Sequence, residues 1–73
     1  GYTETLCRLI DTELSDRERD IIIHRYGLCG YEPRTQREVA KYLGISRSYV
    51  SRIEKKALAQ LKERLSDTEY SES

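Results

Sequence analysis

Apolar residues recur along this chain at helical spacing, in four blocks. Leu6, Leu9 and Ile10 form an i, i+3, i+4 stripe that predicts a first helix over about residues 4–12. Leu14 then leads into a stop. Ile21, Ile22 and Tyr26 are placed toward the core of a second helix. Ile21, Ile22 and Ile23 stand in a row, and the expectation is that at least one of them is exposed, because one face cannot take all three. Val39, Ala40 and Leu43 mark a short third helix of about two turns. Val50, Ile53, Ala57, Leu58, Leu61 and Leu65 make a continuous stripe, which predicts a long fourth helix from Arg47 to about Arg64.

The polar positions between these blocks set the boundaries. "SDRE" puts Ser15 at an N-cap and Glu18 three residues later, and "TQRE" does the same with Thr35 and Glu38. In such a capping box each side chain satisfies the other residue's free backbone N–H. Gly27 closes the second helix and Gly44 the third. Gly30 and Pro33 punctuate the loop between them. Ser46 caps the fourth helix. "SDTEYSES" has no apolar periodicity, so residues 66–73 are expected to form a flexible acidic tail.

The third and fourth helices are therefore joined by a turn of about three residues around Gly44, the arrangement of a helix-turn-helix. Small Ala40 suits a close helix crossing, and Gly44 suits a turn that needs positive φ. Val39, Leu43, Ile45, Val50 and Ile53 fill the angle between the helices. The rival arrangement, a helical hairpin in an arbitrary bundle, does not require all of these residues together. In this motif the second helix enters the DNA major groove. With Val50, Ile53 and Ala57 facing inward, Arg47, Ser48, Ser51, Arg52 and Lys55 face outward. Arg bonds guanine O6 and N7 in bidentate fashion, so Arg47 and Arg52 are the principal base-reading candidates, with Ser48 and Ser51 beside them. The plainer alternative for both arginines is phosphate binding or solvation. Arg34, Arg37 and Lys41 flank the third helix. The backbone N–H groups near Thr35 and Gln36 offer a phosphate site. Ser46, Tyr49 and Lys55 complete the expected backbone contacts, Tyr49 either stacking on a sugar or packing beside the third helix.

Composition narrows this reading. Seventy-three residues make one small domain, able to bury only about 60% of its unfolded surface. With 36% charged residues and no Phe, Trp or Met, the core must come from Leu, Ile, Val and Ala. No apolar run approaches a membrane span and no signal-peptide pattern opens the chain. The formal net charge is +0, but it is unevenly spread. Residues 1–33 hold four basic and seven acidic residues, a net of −3, and residues 34–64 hold nine basic and three acidic, a net of +6. Residues 65–73 carry three acids and no base, a net of −3. A basic middle block points to an anionic partner, against the blander alternative of a solvated helical face. Cys7 and Cys29 belong to no C-x-x-C pair and read as reduced thiols. His24 and Cys29 are too few for a metal site. No nucleophile–base pair, carboxylate pair or phosphate loop is visible, so a binding module without catalysis or cofactor is expected.

"TQREVAKYLGISRSYVSRIEKKALAQL" closely resembles region 4.2 of bacterial sigma-70 family RNA polymerase sigma factors, and "LSDRERDIIIHRYGL" resembles region 4.1. The wording "SRSYVSRIEKKAL" is most similar to sporulation sigma factors of the mother-cell type. The resemblance covers roughly residues 3–64. It implies an all-α, four-helix domain over residues 1–65, winged-helix-like but without a wing. Region 4.1-like helices would span residues 3–26 and the helix-turn-helix residues 35–64. It further implies recognition of the promoter −35 element, docking on the RNA polymerase β flap and a cytoplasmic location. Arg47, Ser48 and Arg52 fall on the family's base-reading positions. Housekeeping members carry Arg, Glu and Gln there, so Ser48 and Arg52 imply a different −35 sequence. Lys56 and Lys62 match activator-contacting positions, although an intervening basic position is Ala59 here. Leu6, Leu9, Ile10, Ile22 and Ile23 are the flap-docking candidates, with ordinary core packing as the alternative for each. The chain lacks segments for the −10 element and the main polymerase clamp, so a C-terminal domain of a longer protein, monomeric in isolation, is expected. Two rivals remain. One is a module bound mainly by the flap or an anti-sigma factor. The other is an independent helix-turn-helix regulator, which would dimerise.

Overall fold

A computed structural model describes the backbone of residues 2–72 and the side chains of residues 4–66. Four helices follow in order: α1 (Tyr2–Glu13), α2 (Asp16–Tyr26), α3 (Gln36–Leu43) and α4 (Arg47–Glu72). The described residues contain no strand. No helix among them is long and apolar enough to cross a membrane.

Local chemistry accounts for most boundaries. Ser15 Oγ accepts the Glu18 N–H at 3.3 Å and Glu18 Oε1 accepts the Ser15 N–H at 2.9 Å, which starts α2. Gly27, at φ 65°, ends α2 and donates its N–H to the Ile23 carbonyl. A left-handed residue is nearly free for glycine and strained for others. A further constraint holds here, because a Cβ at Gly27 would stand 2.5 Å from both Cδ and N of Pro33. The loop thus folds back on the helix end, where the Arg34 N–H reaches the His24 carbonyl at 3.0 Å.

Two apolar clusters share α2 and α4. The first joins Ile10 and Leu14 to Ile22, Ile23, Ala57 and Leu61, with Leu6, Leu9 and Leu28 packed against it. The second joins Ile21 to Val39, Ala40 and Val50, with Leu43, Ile45 and Ile53 beside it. Burying each of the larger side chains contributes about 1.5–3 kcal/mol. The exposed pairs Arg19–Asp11 (3.2 Å) and Arg64–Glu13 (2.6 Å) tie α1 to α2 and α4, and such pairs add about 1 kcal/mol at most.

Four sequence expectations are corrected. Ile21, Ile22 and Ile23 are all buried, at 0%, 1% and 7% exposure. The reason is that α2 is enclosed, sending Ile21 to one cluster and Ile22 and Ile23 to the other. Tyr26 is instead 40% exposed, because α4 offers its hydroxyl a carboxylate partner rather than an apolar hole. Cys7 and Cys29 are joined in a disulfide, since the fold sets their Cα atoms 5.8 Å apart although they are 22 residues apart in sequence. Finally, α4 continues past Arg64 to Glu72, with no Gly or Pro between Ser46 and Glu72 to break it. The expected flexible tail, residues 66–73, falls mostly on side chains outside the described residues.

Gly44→Ala should cost about 1–2 kcal/mol, the ordinary penalty of a left-handed alanine. Gly27→Ala should cost more, because the added methyl also meets the Pro33 ring and backbone. Thermal melts should show both, at about 4–8 °C per kcal/mol for a domain of this size. Equal losses at the two positions would count against the Pro33 contact.

Candidate nucleic-acid interface

The geometry of α3 and α4 follows from their ends. Thr35 Oγ1 accepts the Glu38 N–H at 3.1 Å, and Glu38 Oε1 accepts the Thr35 N–H at 2.9 Å. Gly44, at φ 70°, closes α3 by donating to the Ala40 and Lys41 carbonyls. The Ile45 N–H then returns to the Ala40 carbonyl at 3.0 Å. Ser46 Oγ accepts the Tyr49 N–H at 3.1 Å and starts α4. Val39, Ala40 and Val50 are buried in the angle. The helix-turn-helix expected from the spacing is therefore present.

The first turns of α4 leave Arg47, Ser48, Ser51 and Arg52 exposed, with Lys55 one turn further on. The structure does not gather all four base-reading candidates together. Arg47, Ser48 and Ser51 share a shallow recess of about 340 Å³ with Gln36 from α3. Arg52 turns the other way. Its guanidinium lies 5.7 Å from the Tyr49 ring centroid. It lines a second recess of about 410 Å³, together with Arg17 and Glu18 of α2 and with Ile53 and Lys56. Arg37 and Lys41 are exposed. Arg34 is half-buried, and its guanidinium stacks 4.9 Å from the Tyr42 ring centroid. His24 meets that same ring edge-on at 5.0 Å. A cation held over an aromatic face is oriented rather than free.

The flap and activator candidates separate too. Ile10 and Ile23 lie in the core, Ile10 fully and Ile23 nearly so, and Leu9 is partly buried against it. Leu6 and Ile22 do line an apolar groove of about 580 Å³, whose other walls are Tyr26, Leu28, Leu58, Leu61 and Leu65. Lys62 stands at the rim of that groove. Lys56 is on the Arg52 side, with Nζ 3.9 Å from Glu18 Oε2.

Glu54 has a role that helical spacing alone does not assign. It is 8% exposed, and it accepts the Tyr26 hydroxyl on Oε2 at 2.6 Å and Gln36 Nε2 on Oε1 at 3.1 Å. Arg25 Nε stands 3.5 Å from Oε1, an ion pair rather than a hydrogen bond. The bond to the Glu54 carboxylate, more than burial, raises the Tyr26 pKa above that of an ordinary phenol. A signal existed in the sequence: Glu54 falls on the buried stripe itself, between Val50 and Ala57.

Comparison with known proteins gives a consistent result. Residues 12–63 match the family model described as Sigma-70, region 4. The chain is 60% identical over 48 residues to the RNA polymerase sigma-K factor of Bacillus subtilis (strain 168), covering 66% of this chain and 16% of that protein. It is 58% identical over 48 residues to the RNA polymerase sigma-28 factor of Bacillus thuringiensis subsp. kurstaki, covering 66% and 20%. Against the RNA polymerase sigma-E factor of Clostridium acetobutylicum it is 49% identical over 53 residues, covering 73% and 23%. The chain thus spans less than a quarter of the length of these relatives. No solved structure matches.

The capping box of α3 makes its stability pH-dependent. The Thr35 backbone N–H, and after it the Thr35 side chain, hold the Glu38 pKa below the usual carboxylate value. A lowered folded-state pKa gives a contribution that is complete above the unfolded value, about 4.3, and lost as pH falls through the folded one. Glu38→Gln should be less stable than the parent at pH 7, and the two should converge in acid. Melting temperatures followed between pH 3 and 7 check this, and a constant gap across that range would contradict it.

Proposed function

The chain belongs to the sigma-70 region 4 family, and on that footing we propose that it is the promoter-recognition module of a sigma factor, binding the −35 element at the start of transcription. The observation that carries this reading is the exposed start of α4, where Arg47, Ser48 and Ser51 stand with Gln36 in one recess beyond the Gly44 turn. In this proposal α4 lies in the major groove. Arg47 and Arg52 read base edges in bidentate fashion, with Ser48 and Ser51 between them. Arg52 reaches its base from the Tyr49 side, so the two arginines read separate positions. Backbone contacts come from Arg37, Lys41 and Lys55, from the hydroxyls of Ser46 and Tyr49, and from the start of α3 at Thr35 and Gln36. Arg34, stacked on Tyr42, supports the same strand. The module binds and positions and does no chemistry.

The apolar groove supports a second contact in the same function. The polymerase β flap docks there in this proposal, against Leu6, Tyr26 and Leu58, rather than on the buried Ile10, Ile22 or Ile23. An exposed apolar concavity at the meeting of α1, α2 and α4 suits an apolar protein segment better than nucleic acid. An anti-sigma factor would compete for the same face. Lys62 at its rim and Lys56 on the other side make separate activator contacts in this proposal. The isolated domain acts as a monomer.

Three expected outcomes check this function. Binding that neutralises about four or five phosphates should weaken with salt at a log–log slope near −4. In a selection from random duplexes, Arg52→Ala should relax preference at one base pair, whereas Arg37→Ala should weaken all sequences evenly. The same sequence-independent loss for both would refute base reading. Leu58 is 39% exposed, so Leu58→Asp should leave the fold intact. It should cost flap binding about 1.5–3 kcal/mol, roughly tenfold or more in affinity, with DNA affinity unchanged.

A further inference from the structure

Glu54 is the only buried carboxylate among the described residues. It stands on α4 between Val50, which packs in one apolar cluster, and Ala57, which packs in the other. Both of its oxygens are engaged, Oε2 by the Tyr26 hydroxyl at 2.6 Å and Oε1 by Gln36 Nε2 at 3.1 Å. These two partners belong to different surfaces: the Tyr26 ring is part of the groove wall, and Gln36 is part of the recess with Arg47, Ser48 and Ser51. The flanking Arg25 pairs with Oε1 at 3.5 Å and donates through Nη1 to the Arg34 carbonyl at 3.1 Å, holding the segment that leads into α3.

We propose that Glu54 is a positioning residue that orients Gln36 for DNA and Tyr26 for the groove, and so couples the two surfaces. The inference rests on the reading of α4 as the DNA helix and of the groove as a docking face. An ionised carboxylate only accepts, so it draws the amide nitrogen of Gln36 toward itself and leaves the amide oxygen as an acceptor for the recess. Arg47, which only donates, and the two serines then share that recess with an acceptor whose orientation is imposed from inside. The short bond from Tyr26 is charge-assisted and therefore strong. A buried charge that loses one donor must lean harder on those remaining. An occupant of the groove that moves the Tyr26 hydroxyl consequently changes what Glu54 asks of Gln36. By linkage, DNA that engages Gln36 changes affinity at the groove by the same factor.

Glu54→Ala would leave Arg25 and Tyr26 without their partner and risks unfolding, so the test uses Tyr26→Phe, which deletes one hydroxyl from a half-exposed ring. The 73-residue chain is labelled with nitrogen-15 and the side-chain NH2 pair of Gln36 is followed. Tyr26→Phe should shift that pair, and Glu54→Gln, which can keep both bonds, should leave α3 folded. Against a duplex that the parent chain selects from a random pool, Tyr26→Phe should bind about three- to tenfold more weakly. Combined with Gln36→Ala, it should add nothing to the loss from Gln36→Ala alone. An unmoved Gln36 signal, undiminished DNA binding by Tyr26→Phe, or additive losses would overturn the proposal. A parent chain that selects no duplex would refute the DNA reading instead, and the Gln36 signal would still decide whether Glu54 connects the two surfaces.

Discussion

One carboxylate stands at the seam of this protein. The core is divided between a cluster that holds α1 against α2 and α4 and a cluster that holds α3 against α2 and α4. On α4 the seam falls at Glu54, which is buried and bound by side chains from α2 and α3. Desolvating a charge is costly, and the position is tolerable only because Tyr26, Gln36 and Arg25 all converge on it. An apolar residue at that place would pack without direction. The carboxylate demands one angular arrangement of three helices, and the helix-turn-helix is consequently fixed relative to the first half of the chain.

That fixing matters because the outward face of α4 is short and its readers are few. Gly44 and the caps at Thr35 and Ser46 set where α3 stops and α4 begins. Ala40 and Val50 then set how closely the helices cross. Misplacing the start of α4 by one residue would rotate Arg47 and Ser48 off the exposed face by about 100°. Stacking of Arg34 on Tyr42, itself braced by His24, holds a further cation beside α3. The groove is lined by a separate set of residues, farther along α4, so one small domain presents a polar recess and an apolar concavity.

Much of this was legible in the chain because the signals are local. Both capping boxes lie within four residues, and each formed as its residues dictate. The stops at Gly27 and Gly44 were equally local, as was the long stripe of α4. The site was legible in part: Arg47, Ser48 and Ser51 are exposed together, whereas Arg52 is drawn aside by Tyr49 and faces α2. Among the groove candidates, partly buried Leu6 lines the concavity and Ile22 lies at its buried floor, but Ile10 and Ile23 belong to the core away from it. Helical periodicity tells which residues share a face and not how many neighbours that face has.

By itself the sequence determined the elements, the ends that carry caps and the outward side of α4, because caps, glycine conformations and a 3.6-residue period act over a single turn. Tertiary structure alone decided the rest. It buried three successive isoleucines because α2 has partners on several sides, and it exposed Tyr26 so that its hydroxyl meets Glu54. It also set Cys7 beside Cys29 across 22 residues of chain. These outcomes depend on which helices come together, and no window of a few residues contains that information.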